Sequence, residues 1–147
     1  MIEYTLMKSD HVAQIALLEQ SCFSMPWSEN SIRYELSNPL SLWVVAMEGD
    51  CVAGYVGSQS VMGEADMMNL AVAPNYRRKG IGERLVTELV SYLAKRDVSS
   101  LTLEVRASND PAIKLYEKLG FTKVGCRPGY YRNPREDAWI LRKEWQL

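Results

Sequence analysis

The sequence predicts a single domain of mixed α/β (α+β) structure. Apolar residues recur with two kinds of spacing: short continuous or alternating runs, which indicate strands, and three- and four-residue steps, which indicate helices. In chain order these patterns give β-α-α-β-β-β-α-β-α-β-β, which is typical of a mixed architecture. The 147 residues are the usual size of one domain and contain no evident linker or internal repeat. We therefore expect one domain over residues 1–147.

The N-terminal half is predicted to hold four strands and two helices. Ser9 or Asp10 can cap the first helix, and Pro26 ends its pattern before Ser28 caps a second helix that reaches about residue 36. The Gly49-Asp50 pair joins two extended apolar segments, which predicts a β-hairpin. The fourth strand is buried, and it ends at a proline that cannot continue the ladder. The four predicted strands span residues 3–7, 42–48, 51–61 and 67–73.

The C-terminal half is predicted to continue as helix, strand, helix and two strands. Apolar residues from Gly82 to about Lys95 keep helical spacing, whereas residues 101–106 alternate between apolar and polar. Asn109 can cap the next helix, with Pro111 in its first turn and Gly120 as its stop. The last two strands are predicted over residues 121–127 and 137–142, with a connection over residues 128–135.

A basic, glycine-bearing turn lies between the fourth strand and the third helix. Its sequence, R-R-K-G-I-G over residues 77–82, places three cations before two glycines. Glycine lets a ligand approach the backbone closely, and the free amides and positive dipole end of the following helix attract an anion. The segment matches neither the dinucleotide fingerprint nor the P-loop pattern. It predicts a phosphate site, and the alternative is a tight turn with solvated charges beside it.

Composition excludes several classes of function. A formal net charge of −1 gives no electrostatic case for nucleic-acid binding. No apolar run approaches the roughly 20 residues that a membrane span requires, and the N-terminus has no signal-peptide pattern, so we expect a cytoplasmic protein with no membrane partner. The three cysteines are widely spaced and form no C-x-x-C, which argues against a disulfide framework and a thiolate metal site. We expect no metal.

The turn also carries a family resemblance. Its R-x-x-G-x-G pattern, after a strand and before a helix, resembles the acetyl-CoA pyrophosphate loop of the GCN5-related N-acetyltransferases (GNAT). The resemblance implies a central, mostly antiparallel sheet that splays between its fourth and fifth strands and is flanked by helices, with acetyl-CoA as co-substrate. Asn109 matches a family position that contacts acetyl-CoA, although its alternative role is that of a helix cap. The residues implied to bind acetyl-CoA are Leu70, Ala71, Val72, Arg77, Arg78, Lys79, Gly80, Ile81, Gly82, Glu83 and Asn109.

Two further motifs resemble the bacterial RimI-type N-terminal acetyltransferases of this family. L-E-V-R-A-S-N over residues 103–109 is similar to their signature, which implies that Glu104 accepts a proton; the alternative is a surface carboxylate paired with Arg106. A-x-x-L-Y-x-x-L-G-F over residues 112–121 resembles the family motif whose tyrosine protonates the departing thiolate, which implies Tyr116 as the acid. A tyrosine with the usual pKa of about 10 is protonated at neutral pH, as an acid must be. The alternative for Tyr116 is a core tyrosine.

The substrate side is implied by the same resemblance. Residues 23–28 are similar to the RimI-type F-P-W-S element, and residues 129–138 resemble its Y-Y…R-E-D-A, although both segments are spaced differently here. Trp27, Tyr130 and Tyr131 are thereby implied to frame an incoming peptide from loops, and Glu64 to lie near its amine. The implied partner is a protein N-terminus, that of the eighteenth small-subunit ribosomal protein.

Elementary energetics favour an α-amine as acceptor. At pH 7 the neutral amine costs about 1 kcal/mol for an N-terminus and about 4.6 kcal/mol for a lysine. A carboxylate base such as Glu104 suits the first substrate better. Two alternatives remain: an enzyme that acetylates lysine side chains or a small amine, and a binding module that holds acetyl-CoA without turnover.

Overall fold

The computed structural model describes residues Met1–Leu147 and has one seven-stranded sheet with four α-helices. The mixed α/β fold predicted from the sequence is confirmed. The strands are β1 (Glu3–Leu6), β2 (Ser41–Glu48), β3 (Cys51–Val61), β4 (Glu64–Val72), β5 (Ser100–Arg106), β6 (Thr122–Tyr131) and β7 (Glu136–Glu144). The helices are α1 (Val12–Cys22), α2 (Glu29–Glu35), α3 (Ile81–Ala94) and α4 (Asp110–Lys118). None of the helices is long and apolar enough to cross a membrane.

The sheet has the order β1-β2-β3-β4-β5-β7-β6 and is antiparallel except where β4 meets β5. These two strands pair in parallel over only three residue pairs, from Glu64↔Ser100 to Asp66↔Thr102. From Met67 onward β4 has no strand on its β5 side. The predicted splay between the fourth and fifth strands is therefore present, and it opens a gap in the middle of the sheet.

The helices cover both faces of the sheet because strand side chains alternate between faces. On β2, Val44 and Ala46 pack in the core beneath α3 and α4, whereas Trp43 and Val45 pack in a second core beneath α1 and α2. Both cores are fully closed at these positions, with exposed fractions of 3% or less. The sheet is thus covered by helices on both faces.

A bulge interrupts β4 beside the gap. Val56 of β3 pairs with Leu70, but Ser58 pairs with Met67, so Met68 and Asn69 together face the single residue Gly57. A bulge bends its strand and redirects side chains, and bulges are frequent next to active sites. Here the bulge lies where β4 leaves β5.

The predicted helix starts and stops are mostly confirmed. Ser28 caps α2 by accepting the Ser31 N–H at 3.1 Å, Asn109 caps α4 by accepting the Ala112 N–H at 3.3 Å, and Gly120 ends α4 with φ +96°. The cap of the first helix was predicted wrongly. Residues Ser9–His11 form a 3₁₀ turn in which no side chain of Ser9 or Asp10 caps the helix.

The last two strands are longer than predicted. β6 continues through Pro128 and Gly129 to Tyr131, and β7 begins at Glu136, so the connection is only residues 132–135. β6 is the edge strand of the sheet, where a proline without an N–H can lie on the solvent side. Tyr130 and Tyr131 therefore lie on a strand, and the expectation that they belong to a loop is wrong.

Candidate active site

A cavity of about 380 Å³ opens where β4 and β5 separate. Its walls come from residues 67–70 of β4, residues 103–106 of β5 and the inner side of α4, and Tyr130 and Tyr131 border its open side. Both predicted catalytic residues, Glu104 and Tyr116, line this cavity. They reach it from different elements, β5 and α4, that are brought together only by the fold.

The basic turn forms a second cavity of about 220 Å³ at the start of α3. Gly80 adopts φ +77° and leads into the helix, and none of the backbone N–H groups of residues 78–83 bonds within the protein. Arg78 has φ +63°, which is uncommon for a residue other than glycine. Free amides, a helix N-terminus and the cations of the turn together form a site that suits a phosphate group. The site thus fits the pyrophosphate expected here.

The two cavities are neighbours. Leu115 of α4 lines both of them, so the space at the turn leads past this side chain to Glu104 and Tyr116. Asn109 caps α4 and also lines the larger cavity, so one residue combines the two roles that the sequence offered as alternatives. An extended molecule with a phosphate end can therefore place its other end in the larger cavity.

The backbone of β4 offers hydrogen bonds along this route. Ala73 donates its N–H to the carbonyl of Ala53 of β3 at 2.8 Å. Backbone groups of successive residues in an antiparallel ladder point alternately to the two sides of the strand. The backbone N–H and C=O of Ala71 therefore also point toward β3, whereas those of Leu70 and Val72 point toward the gap. The Val72 carbonyl accepts Arg77 Nε at 3.1 Å. Of the three strand residues predicted to contact acetyl-CoA, Leu70 and Val72 therefore direct their backbone groups toward the gap.

Glu104 is half-buried and its carboxylate faces the cavity. Its nearest cation is Arg127, with Nε 3.7 Å from Oε1. Arg106 has other partners: it pairs with Glu136 at 3.3 Å, and its guanidinium stacks on the Tyr131 ring at 4.5 Å. The alternative in which Glu104 pairs with Arg106 is therefore not the arrangement found.

Tyr116 is buried against Met67, and its hydroxyl lies 3.8 Å from the Met67 sulfur. Its ring packs edge-to-face on Phe121, with 5.5 Å between ring centroids. Burial raises the pKa of Tyr116 above its usual value near 10. The hydroxyl is therefore protonated throughout the neutral range, as a proton donor must be.

Aromatic residues border the open side of the cavity. Trp27 lies in the connection between α1 and α2 and packs edge-to-face on Trp43, while the rings of Tyr130 and Tyr131 contact each other at 5.1 Å. Burial raises the pKa of Tyr131 to about 12. Two further cavities, of about 430 and 410 Å³, are bordered by both Trp27 and Tyr130. The aromatic residues thus outline a broad, open groove.

Glu64 is not among the residues that line these cavities. It begins β4 and pairs with Arg142 at 2.9 Å. The acidic residue of β4 that lines the groove is Asp66, which shares one of the outer cavities with Glu104 and Arg127.

One functional candidate was not found by sequence reasoning. Glu19 of α1 is fully buried and accepts hydrogen bonds from the Trp27 N–H at 2.9 Å, from Asn69 Nδ2 at 2.8 Å and from the Tyr55 hydroxyl. A signal existed in the sequence: Glu19 follows Val12 and Ile15 on the apolar face of the helix, where a carboxylate needs partners.

A model of the Acetyltransferase (GNAT) family matches residues 12–121 of the chain. The chain belongs to the GNAT family. This confirms the family predicted from the R-x-x-G-x-G turn, and the protein is an acetyltransferase.

Individual GNAT proteins are similar over most of the chain. The [ribosomal protein bS18]-alanine N-acetyltransferase of Escherichia coli (strain K12) is 40% identical over 126 residues, which are 84% of each chain. The crystal structure of the ribosomal-protein-S18-alanine N-acetyltransferase from Escherichia coli has a TM-score of 0.91 at 34% identity and covers 100% of this chain and 96% of that one. NAA60 of Arabidopsis thaliana in complex with acetyl-CoA has the same fold, with a TM-score of 0.87 at 18% identity over 98% of both chains. The resemblance to RimI-type GNAT enzymes is thereby confirmed.

Proposed function

We propose that this GNAT enzyme transfers the acetyl group of acetyl-CoA to the N-terminal α-amine of a protein, and that its substrate is ribosomal protein bS18. The Escherichia coli relative, which is 40% identical over 126 residues, is named for acetyl transfer to an alanine of ribosomal protein bS18. The single observation that carries the proposal is the gap in the sheet, in which a phosphate-binding turn, a carboxylate and a buried tyrosine line connected cavities.

Acetyl-CoA is proposed to lie along the splayed edge of β4. The free amides of residues 78–83 and the side chains of Arg77, Arg78 and Lys79 would hold its pyrophosphate, with Gly80 and Gly82 permitting close approach. Backbone groups of Leu70 and Val72 would pair with the arm that leads to the thioester. Ile81, Glu83 and Asn109 line the two cavities and complete the proposed set of contacts. A contact with Ala71, whose backbone is paired with β3, rests on the family resemblance alone and stays a prediction.

The bound co-substrate would supply an activated acetyl thioester, and the protein would move two protons. Glu104 accepts a proton from the α-ammonium group, directly or through a water, so that the neutral amine can attack the acetyl carbon. Tyr116 then donates its hydroxyl proton to the departing thiolate sulfur, and the proton that the acylated nitrogen releases restores the tyrosine hydroxyl. The lack of a Cys-His pair in the cavity lining is consistent with direct transfer from acetyl-CoA to the amine.

The acceptor peptide is proposed to enter between Trp27 and the Tyr130-Tyr131 pair. The open groove bordered by these aromatic residues suits a polypeptide chain better than a small amine, which would favour a closed pocket. A role for Glu64 near the amine rests on the family resemblance alone and stays a prediction. We infer that residues 1–147 act as one N-acetyltransferase domain in the cytoplasm.

The test is to incubate the protein with acetyl-CoA and peptides that carry both a free N-terminus and internal lysines, and to locate the acetyl group by tandem mass spectrometry. The panel includes the N-terminal peptide of bS18 and the same peptide with a blocked N-terminus. Acetyl on the α-amine of the first peptide only is the expected result. Acetyl on lysines of both peptides would replace the proposal with a lysine acetyltransferase, and no product despite acetyl-CoA binding would replace it with a binding module.

A further inference from the structure

Asn69 lies at the β4 bulge, where the three cavities of the groove meet. It lines the cavity of Glu104 and Tyr116 and both outer cavities, and Tyr130 is the one other residue that lines all three. A peptide that enters between Trp27 and Tyr130 and reaches Glu104 must therefore pass the Asn69 side chain. The catalytic scheme above assigns Asn69 no role.

Glu19 determines which end of the Asn69 amide faces the groove. Asn69 Nδ2 donates to Glu19 Oε2 at 2.8 Å, and the carboxylate also accepts the Trp27 N–H and the Tyr55 hydroxyl. A carboxylate that is surrounded by donors accepts hydrogen bonds only, so the flipped amide would set Oδ1 against another oxygen. The orientation with Nδ2 toward Glu19 is thus required by chemistry.

The other end of the amide is left free. Asn69 Oδ1 makes no hydrogen bond within the protein, and it is not among the atoms sealed from solvent. The fold therefore presents one fixed hydrogen-bond acceptor to the groove, beside the proposed base. Water can satisfy it before a peptide binds, and a donor on the substrate must take the place of that water in the complex.

We propose that Asn69 Oδ1 accepts a hydrogen bond from the first peptide N–H of the acceptor, and that Glu19 is the positioning residue that aims it. The inference rests on the proposed function, since it names the feature of the substrate that the groove selects. In a peptide this N–H is separated from the α-amine by two carbon atoms, whereas a lysine ε-amine has only methylene groups at that distance. A site built to bind an N–H rejects analogues that lack it, so Asn69 selects α-amines over lysines.

The test uses two acceptor peptides of one sequence, one with the normal amide between residues 1 and 2 and one with an ester in its place. The ester removes the N–H and adds no bulk. Comparing kcat/KM for the two peptides in the unaltered protein and in Asn69→Ala forms a double-mutant cycle, which cancels any effect of the ester on the amine itself. Assays run above the pKa of both amines, with acetyl-CoA affinity measured separately by calorimetry.

We expect the unaltered protein to prefer the amide by about tenfold, the size of one hydrogen bond, and Asn69→Ala to lose that preference and to keep its acetyl-CoA affinity. The matched control is Asn38→Ala, because Asn38 Nδ2 also donates to a buried glutamate, Glu35, but its Oδ1 is occupied by the Leu40 N–H at 3.0 Å. Asn38 lies outside the groove, so its variant should keep the amide preference.

The outcomes separate the two proposals. An equal preference in the unaltered protein and in Asn69→Ala would overturn the role of Asn69 and leave the proposed function standing. Acetylation of neither peptide by the unaltered protein, despite bound acetyl-CoA, would overturn the proposed function itself.

Glu19→Gln tests the positioning role. The new carboxamide can donate to Asn69 Oδ1 and turn it away from the groove, so we expect a weaker amide preference with unchanged acetyl-CoA affinity. A full preference in Glu19→Gln would overturn the role of Glu19. The Asn69→Ala comparison stands even where Glu19→Gln folds poorly.

Discussion

Glu104 and Tyr116 line one cavity from β5 and α4, and their surroundings differ in a way that suits opposite tasks. Glu104 is partly exposed, with 26% of its side chain accessible, next to the Arg127 cation, whereas Tyr116 is enclosed by apolar side chains that raise its pKa. A half-exposed carboxylate can exchange protons with the substrate and with water. A buried phenol stays protonated throughout the neutral range, which is the form that a proton donor needs.

Glu104→Gln removes the proposed base at nearly constant volume. We expect kcat to fall by about 100- to 10,000-fold, the usual contribution of a general base, while acetyl-CoA affinity and the melting temperature stay nearly unchanged. Steady-state kinetics and calorimetry measure the two effects. Glu144→Gln, an exposed carboxylate on β7 that pairs with Arg142, is the control and should retain full activity.

Tyr116→Phe removes only a hydroxyl whose one contact is the distant Met67 sulfur. Stability should therefore change little, whereas kcat should fall by about 100-fold because the leaving thiolate loses its proposed proton donor. Thermal melting and initial rates measure both quantities, with Tyr92→Phe on α3 as control. A Tyr116→Phe protein with unaltered kcat would assign the proton to another donor, and Tyr131 would be the next residue to vary.

At the scale of the element, the start of α1 depends on the state of one histidine. His11 is 8% exposed, and its Nδ1 accepts the Lys8 N–H at 3.0 Å, so it closes the 3₁₀ turn before the helix. Burial is the main cause that lowers the pKa of His11 below its usual 6.5. Protonation would both charge a poorly hydrated ring and remove the acceptor.

The free energy of unfolding should therefore decrease as the pH falls below about 6.5, because the unfolded chain binds the His11 proton more readily. Urea unfolding at pH 7.5 and 5.5 measures this loss, and His11→Asn, which keeps an acceptor that cannot be protonated, should show a smaller difference between the two pH values. An equal difference in both proteins would show that other groups cause the pH dependence.

The basic turn before α3 is tested by two glycines of the same conformation. Gly80 has φ +77° and Gly49 has φ +58°, and an added Cβ would meet no atom within 4 Å at either position. Each change to alanine should cost about 1–2 kcal/mol of backbone strain. Only Gly80→Ala should also weaken acetyl-CoA binding, by about tenfold, because one or two amide hydrogen bonds to the ligand would shift. Calorimetry on both variants separates this loss of affinity from the loss of stability that they share.

The sequence predicted correctly those features of the elements that depend on neighbouring residues. The caps at Ser28 and Asn109 and the Gly49-Asp50 hairpin follow from nearby residues, and the structure contains all three. β6 was predicted too short because a proline usually ends a strand. Pro128 is tolerated within β6 because β6 is the edge strand of the sheet. The partners of Glu104 and Glu19 lie on elements far apart in sequence, so no local pattern identifies them.

At the scale of the molecule, the sheet consists of two parts, β1–β4 and β5–β7, that share only three backbone-paired positions. A ligand that pairs with the free edge of β4 would bridge them. The amides of Leu70 and Val72 should then exchange hydrogen more slowly when acetyl-CoA is added, whereas Ala71, already paired with β3, should not change. Hydrogen exchange measured by NMR resolves the three neighbouring amides.

Binding to the folded state alone should also raise the melting temperature. At 100 times its dissociation constant a ligand adds about 2.7 kcal/mol, which corresponds to about 5–10 °C for a domain of this size. Thermal unfolding with acetyl-CoA, and with acetate as the control, measures the shift. A melting temperature that does not move with acetyl-CoA would contradict binding across the gap.

The gap in the sheet also has a consequence for the life of the protein in a growing cell. If acetyl-CoA bridges the two parts of the sheet as proposed, the unfolded fraction that proteases can attack should rise when acetyl-CoA is scarce. We expect the half-life of the enzyme in the cell to shorten when the acetyl-CoA concentration falls, so that starvation would lower the amounts of enzyme and co-substrate together.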